Sequence, residues 1–137
     1  MADTDLITGS FHGANASVRT YLTADVITIG ADATARDAAE VIARASVGVL
    51  VIGTPDDVAA IVSERDIVRA VAEGLDLDTT RAADIGSTEL VWIDVTDTIG
   101  DAAEEMMEDY VRHVLVREHG LLVGVLSIRD VLSAYIT

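Results

Sequence analysis

The sequence repeats itself once along its length. Sliding it on itself by 64 positions aligns residues 18–73 with residues 82–137 without a gap, and 11 of the 56 aligned pairs are identical. The identities cluster, because VSERDIVRA at 62–70 falls on LSIRDVLSA at 126–134 with Ser, Arg, Asp and Ala in the same places. A unit of roughly 55 residues buries too little surface to be stable alone, so we expect the two units to pack on each other.

Both repeats show one order of predicted elements, β-α-β-β-α. β-Branched or apolar runs at 26–29 and 90–93 predict the opening strands. Two further strands are predicted in each repeat, joined by Gly53-Thr54-Pro55-Asp56 in the first and around His119-Gly120 in the second; their ranges are 47–52, 57–62, 112–117 and 121–126. A last helix begins at Ser63 or Ser127. The predicted fold class is therefore α+β, built from tandem repeats.

The first helix of each repeat is predicted from helical spacing of apolar residues. The residues predicted to face the core are Ala38, Val41, Ile42 and Ala45 in the first repeat, and Ile99, Ala102, Ala103, Met106 and Tyr110 in the second. Asp32-Ala33-Thr34 and Thr96-Asp97-Thr98 supply N-caps for these helices. We divide the chain into a flexible tail at 1–17, a first repeat at 18–76 and a second at 77–137, with a polar linker at 74–84.

The charge of the chain argues against binding to nucleic acid. Nine arginines and no lysine face 24 acidic residues, which gives a formal net charge of -15. Such a chain repels phosphate backbones unless its arginines cluster tightly. An acidic, lysine-free composition resembles proteins of salt-loving archaea, in which salt screens the self-repulsion; an ordinary acidic cytosolic protein is the alternative.

The residue types available also limit the chemistry. There is no cysteine, which excludes disulfides, thiol catalysis and cysteine-ligated zinc. No uncharged apolar run approaches the roughly 18 residues of a membrane helix, and we expect a cytoplasmic protein without a membrane partner. The histidines are His12, His113 and His119; the last two could meet across two strands, but a third metal ligand is not evident. We predict no enzymatic activity and no metal site.

The repeat, the element order and the Ser-x-Arg-Asp motif together resemble the CBS domain, a module that occurs in tandem pairs (Bateman modules). The stretches that resemble it are ADVITIGADATARDAAEVIA, VRHVLV and HGLLVGVLSIRDVL. The resemblance covers residues 18–137. It implies a stand-alone pair of repeats related by a pseudo-two-fold axis with two clefts between them. It also implies an adenosine-containing ligand such as AMP, ADP, ATP or S-adenosylmethionine, a homodimer, and a separate regulated protein; no cofactor is required.

The Ser-x-Arg-Asp motif suits such a ligand on physical grounds. A helix N-terminus offers unpaired amides and the positive end of the helix dipole to a phosphate, and Ser63 and Ser127 add a hydroxyl donor. Asp66 and Asp130, three residues later, can accept both hydroxyls of a ribose. The alternative is a capping box, in which the same Ser and Asp only satisfy the helix terminus. Arg65 and Arg129 pair with phosphate or with surface acids.

The resemblance adds residues that border the base, with core packing as the alternative interpretation of the aliphatic ones. They are Thr23, Ile27, Val47, Gly48 and Val49 in the first repeat and Ser87, Val91, Val111, Arg112 and His113 in the second. Because Arg112 and His113 replace Gly48 and Val49, we expect the Arg112 side to favour charged phosphates and the other side a less charged ligand or none. His113 is otherwise a half-buried strand histidine.

Two positions depart from the family pattern. Ala60 stands where the second repeat has Gly124 and the family usually has Gly, which adds a methyl group where backbone segments approach closely. Gly86 stands where an apolar residue usually precedes the first strand, which is expected to loosen the lip of a cleft. Either departure is expected to weaken one site. The rival function is a scaffold without ligand, because Ile67, Val68, Val71, Val131, Leu132 and Tyr135 suit a dimer surface as well as an internal core.

Overall fold

The computed structural model describes residues 13–22 and 26–136. They form two compact units, one of residues 26–90 and one that combines residues 13–22 with 91–136. We call these the 26–90 unit and the 91–136 unit. The described elements are α1 (Val18–Tyr21), β1 (Thr28–Ile29), α2 (Ala35–Ala45), β2 (Val49–Thr54), β3 (Asp57–Ser63), α3 (Glu64–Ala72), α4 (Ala82–Ile85), β4 (Trp92–Asp94), α5 (Ile99–Asp109), β5 (His113–Glu118), β6 (Leu121–Ser127) and α6 (Ile128–Ile136).

Each unit holds a three-stranded sheet, in the order β1-β2-β3 or β4-β5-β6. The outer strand β1 is parallel to β2, and β2 is antiparallel to β3; the second sheet has the same pattern. A parallel pair needs a crossover, which α2 and α5 supply, whereas the antiparallel pairs need only the turns at 55–56 and 119–120. The predicted α+β class with a β-α-β-β-α order is confirmed.

The two crossover helices begin with capping boxes at the predicted threonines. In α2 the Asp37 amide donates to Thr34 Oγ1 (3.1 Å) and the Thr34 amide donates to Asp37 Oδ2 (3.0 Å). In α5 the same pair joins Thr98 and Asp101, at 3.2 and 3.0 Å. Two of the orphan amides of each helix are satisfied in this way, so the predicted N-caps are confirmed.

The cores are largely aliphatic, in keeping with a sequence in which 50% of the residues are hydrophobic and only 4% are aromatic. The 26–90 core contains Ala38, Ile42, Leu50, Ile52, Ala60, Val62 and Ala82; the 91–136 core contains Val18, Ile93, Val95, Ile99, Ala102, Met106, Val114, Val116, Leu126, Val131 and Ala134. The prediction that Tyr110 faces the core is wrong: α5 ends before it, its φ is 55°, and it is 94% exposed. Ala45, at the end of α2, is exposed as well. Tyr110 lies one residue beyond the end of α5, and Ala45 is the last residue of α2.

The opening helix of each sequence repeat packs in the unit formed by the other repeat. Helix α1 belongs to the first repeat but lies in the 91–136 unit, where Val18 is fully buried. Helix α4, 64 positions later, lies in the 26–90 unit with Ala82 buried. Equivalent pairs of backbone hydrogen bonds hold the two helices in place. At α1 the Val18 amide donates to the carbonyl of Asp97 (3.1 Å) and the Ile99 amide to that of Ala16 (2.8 Å). At α4 the Ala82 amide donates to the carbonyl of Ala33 (2.9 Å) and the Ala35 amide to that of Thr80 (2.7 Å).

This packing bears on the predicted boundaries. Residues 13–17, assigned from sequence to the tail, lie in the 91–136 unit, and the predicted linker at 74–84 runs into α4. Residues 1–12 of the tail lie outside the described residues. The boundaries 18–76 and 77–137 come from sequence similarity and stay a prediction about the repeat, whereas the compact units follow from packing.

Gly86 follows α4 at a point where two backbone segments nearly touch. A Cβ atom on residue 86 would lie 2.2 Å from the carbonyl oxygen of Ile61. The neighbouring Ser87 pairs with Ile61 through two backbone hydrogen bonds of 3.0 and 2.8 Å, so the oxygen is held in place. Glycine is therefore required by this close approach.

We predict that Gly86→Ala destabilises the protein by about 1–3 kcal/mol, because the added methyl group has to push two hydrogen-bonded segments apart. Denaturant unfolding at high salt measures the effect. Gly30→Ala is the control, since nothing lies within 4 Å of a Cβ atom at residue 30. Equal losses for the two variants would contradict the close-approach explanation.

Helix α5 carries five acidic residues and no base: Asp101, Glu104, Glu105, Glu108 and Asp109. A hydrogen bond to the Asp109 carboxyl, with partial desolvation and the charges of Asp109 and Glu108, raises the pKa of Glu105 above its ordinary value of 4.5. A carboxyl group whose pKa is raised on folding stabilises the fold below its ordinary pKa, and this contribution is lost as the pH rises through the raised value. At pH 7 the pair is therefore repulsive.

Accordingly, Glu105→Gln should raise the melting temperature at pH 7 in low salt, because an amide can donate to Asp109 without a charge. The gain should shrink as the pH falls below 4.5, where Glu105 is protonated in any case. Glu104→Gln removes the same charge outside this pair and serves as control in thermal melts across pH. An equal, pH-independent gain in both variants would assign the effect to net charge alone.

Candidate functional site

Strand β3 runs directly into α3 at Ser63, which caps the helix. The Asp66 amide donates to Ser63 Oγ (3.3 Å), and the Ser63 amide donates to Asp66 Oδ2 (2.8 Å). The Ser63 hydroxyl also lies 3.0 Å from Asp66 Oδ2. The capping box considered as the alternative role of this motif is therefore present in the first repeat.

The junction of β6 and α6 has the same arrangement. The Asp130 amide donates to Ser127 Oγ (3.1 Å), and the Ser127 amide donates to Asp130 Oδ2 (2.8 Å). Both aspartates use only Oδ2 in the cap. The structure thus establishes capping in both copies, and ligand binding by these four side chains stays a prediction.

The second carboxylate oxygen has different surroundings in the two units. Asp66 Oδ1 lies 3.3 Å from Arg69 Nη1, one turn further along α3. The equivalent position in α6 holds Ser133, whose hydroxyl donates to the carbonyl of Arg129 (3.1 Å). Arg69 was missed by the sequence reasoning, although a basic residue three positions after an acid in a helix is a recognisable pairing signal.

The strand register brings several predicted site residues beside the serines. Val49 pairs with Ser63, and His113 pairs with Ser127. The residue before each strand is joined to the first helical residue: the Glu64 amide donates to the carbonyl of Gly48 (2.9 Å) and the Ile128 amide to the carbonyl of Arg112 (2.8 Å). Residues 48, 49, 112 and 113 therefore lie beside the helix N-termini, and their predicted contact with a base stays a prediction.

The remaining aliphatic site residues contribute to the cores. Ile27 and Val47 are half-buried against the 26–90 core, and Val91 and Val111 against the 91–136 core. The carbonyl of Ile27 accepts the Val51 amide (3.0 Å), and that of Val91 accepts the Leu115 amide (2.8 Å). Core packing, the alternative role given to these residues, is thus present.

Four further predicted site residues are Thr23, Ser87, Arg65 and Arg129. Thr23 lies outside the described residues. Ser87 is held against Ile61 at the edge of the first sheet, and its hydroxyl lies 3.4 Å from the carbonyl of Glu89. Arg65 and Arg129 are exposed, and neither belongs to the ion pairs of the described residues, which join Arg19 to Glu118, Arg36 to Asp78 and Arg69 to Asp66.

The described ranges contain neither a cluster of metal-ligating side chains nor a membrane-spanning helix. Within residues 13–22 and 26–136, no three His, Asp or Glu side chains are grouped as metal ligands would be. In the same ranges no helix has the length and apolar character needed to cross a bilayer. His119 lies in the two-residue turn between β5 and β6. Its φ of 53° is the left-handed conformation that tight hairpin turns use.

Comparison with known proteins identifies the family. The sequence pattern of the CBS domain matches twice, at residues 18–73 and 82–137. The chain belongs to the CBS domain family. The two matches coincide with the aligned ranges of the internal repeat, so the protein contains a pair of CBS domains.

Relatives of known sequence or structure resemble the chain over most of its length. Hypoxic response protein 1 of Mycobacterium tuberculosis is 29% identical over 117 residues, which are 84% of this chain and 82% of that protein. The CBS domain protein of Pyrobaculum aerophilum, complexed with AMP, is 40% identical with a TM-score of 0.75, covering 83% of this chain and 88% of its own. A CBS-domain containing protein of Agrobacterium tumefaciens is 32% identical with a TM-score of 0.78, covering 88% and 99%.

Proposed function

We propose that this CBS pair is a regulatory module that binds an adenosine-containing ligand, namely AMP, ADP, ATP or S-adenosylmethionine, and modulates another protein. The observation that carries the proposal is the pair of equivalent strand-to-helix junctions at Ser63 and Ser127. The AMP complex of the Pyrobaculum aerophilum relative supports the ligand class.

The proposed binding chemistry is compatible with the caps. A serine hydroxyl that accepts an amide hydrogen still has its own hydrogen to donate to a phosphate oxygen. The carboxylates of Asp66 and Asp130 give Oδ2 to the cap, so Oδ1 is the oxygen proposed to accept from a ribose hydroxyl. Arg65 and Arg129 are proposed phosphate partners. The proposed base-lining residues are Thr23, Ile27, Val47, Gly48, Val49, Ser87, Val91, Val111, Arg112 and His113.

The proposed role is sensing rather than catalysis. A ligand regulates only if it binds two states of the protein with different affinity. The proposed target of regulation is a separate chain. The proposed location is the cytoplasm, where free nucleotides are found. The charge of -15 without lysine supports a salt-rich setting for that role, because screening weakens self-repulsion.

The ligand is tested by thermal unfolding with AMP, ATP, S-adenosylmethionine or no addition, at high salt. A ligand at 100 times its dissociation constant stabilises the folded state by about 2.7 kcal/mol. We expect at least one of the three to raise the melting temperature, and a protein that responds to none of them contradicts the proposal.

Matched variants separate capping from binding. Asp66→Asn and Asp130→Asn should weaken binding at least tenfold at the affected site. Asp37→Asn and Asp101→Asn alter capping boxes of the same chemistry at α2 and α5 and should leave the affinity within twofold. All four variants lose a charge-assisted capping bond, so similar losses of stability are expected. Isothermal titration measures affinity; equal effects in all four would mean that the aspartates only cap.

A ligand-free dimerisation scaffold is the second candidate, and one observation favours it. Apolar side chains on the last helices are exposed in the single chain, among them Val68 (66%), Val71 (58%), Leu132 (58%) and Tyr135 (43%). On each of the two helices, the exposed apolar residues are three positions apart and share one face, and exposed apolar helix faces of this kind mark interaction sites. We propose that these helices carry the interface of a homodimer.

We therefore expect Val68→Glu and Leu132→Glu each to shift the protein from dimer toward monomer, because a carboxylate in an apolar interface is costly. Light scattering coupled to gel filtration gives the molar mass. Thr79→Glu adds the same charge at an exposed polar position and should leave the mass unchanged. If the unaltered protein is a monomer, or the two apolar variants remain dimers, this interface is wrong.

A further inference from the structure

The two serine junctions differ at one pair of positions that are in contact. Residue 48 precedes β2 and accepts the amide of residue 64, and residue 112 precedes β5 and accepts the amide of residue 128. The first pair is Gly48 with Glu64, and the second is Arg112 with Ile128. The same backbone hydrogen bond is therefore present at both junctions. The side chains of the pair carry a negative charge at the first junction, from Glu64, and a positive charge at the second, from Arg112.

The Glu64 carboxylate lies over Gly48 at the start of α3. A methyl group placed on residue 48 would be 3.1 Å from Oε1 of Glu64. Because Gly48 has no side chain, the carboxylate occupies the space beside the first turn of the helix. At the start of α6 there is no acid at the equivalent place, since Ile128 is apolar and Arg112 is exposed beside it.

These side chains change the electrostatics of the two helix N-termini. The first turn of α3 contains Glu64 and Asp66, whereas that of α6 contains only Asp130. An acid at the first turn neutralises the positive end of the helix dipole and repels an incoming phosphate. Arg65 and Arg129 occupy equivalent positions, so they add the same positive charge to both junctions and cause no difference between them.

Arg69 does not restore a free positive charge at the α3 junction. Its guanidinium is 3.3 Å from Oδ1 of Asp66, the oxygen proposed to accept from a ribose. At the equivalent spacing from Asp130, α6 has Ser133, which carries no charge. Because the first turn of α3 carries the additional acid, the α3 junction is less suited to a phosphate, and the α6 junction is better suited.

We propose that Glu64 is a specificity-determining residue: it makes the α3 junction reject phosphate-bearing ligands and accept uncharged adenosine compounds, while Arg112 and Ile128 make the α6 junction select a phosphate. This inference rests on the proposed function. It goes beyond the contrast between Arg112 and Gly48, because it assigns the rejection to the variable position of the Ser-x-Arg-Asp motif, which is Glu64 in the first repeat and Ile128 in the second. The phosphate carries the selectivity, so AMP and adenosine are the appropriate probes.

The experiment compares AMP and adenosine binding by isothermal titration in the full chain. Glu64→Ile copies the second junction into the first, and Ile128→Glu does the reverse. Glu64→Ile should strengthen AMP binding at the α3 junction at least tenfold, and Ile128→Glu should weaken it at the α6 junction at least tenfold. Adenosine affinity should change by less than twofold in both. Glu64→Gln keeps the side-chain shape and should reproduce the effect of Glu64→Ile.

Controls separate the possible failures. Glu40→Gln removes an exposed charge from α2 and should not alter either affinity. Circular dichroism of each variant checks that the fold is retained. If neither AMP nor adenosine binds the unaltered protein, the selectivity assigned to Glu64 is overturned; the proposed function is overturned as well if ADP, ATP and S-adenosylmethionine also fail to bind. If both bind but the ratio of their affinities is the same in Glu64→Gln, Glu64→Ile and the unaltered protein, the role of Glu64 is overturned while the proposed function stands.

Discussion

Two hydrogen bonds hold each junction between the third strand of a repeat and its last helix. One runs from the Asp amide to the Ser hydroxyl, and the other from the Ser amide to the Asp carboxylate. They fix where the strand stops and the helix starts. Val49 of β2 and His113 of β5 lie beside the helix N-termini because the strand register pairs them with Ser63 and Ser127.

Local signals predicted much of this architecture. The threonine caps and the Ser-x-Arg-Asp starts are short-range patterns whose chemistry does not depend on distant residues. The ends of elements are predicted less accurately, because apolar residues continue beyond the hydrogen-bonded segment. The predicted strand begins at residue 47, whereas β2 begins at Val49, and the predicted core face of α5 reaches Tyr110, whereas the helix ends at Asp109. Tyr110 is the clearest case: it keeps the helical spacing yet adopts a left-handed conformation and is exposed.

Long-range packing could not be predicted from the sequence in the same way. The location of α1 in the 91–136 unit follows from Val18 filling that core and from hydrogen bonds to Asp97 and Ile99, which are some 80 residues away. The requirement for glycine at residue 86 also depends on contact with a residue distant in the sequence, Ile61. As a departure from the family pattern it suggests a looser site, whereas the structure shows that Ile61 leaves no room for a side chain. Of the candidate site, the sequence predicted the Ser and Asp pairs but missed Glu64 and Arg69.

The caps and the proposed ligand would use the same side chains, which restricts how a ligand can act. At the α3 junction the Ser63 hydroxyl is directed toward Asp66 Oδ2, so a phosphate has to redirect one hydrogen from a carboxylate. That change needs only rotation of a hydroxyl group and leaves the amide bonds of the cap intact. The helix start can therefore respond to a ligand without unfolding. Any larger change has to come from groups outside the cap, chiefly Oδ1 of each aspartate, which Asp66 shares with Arg69, and the arginine between Ser and Asp.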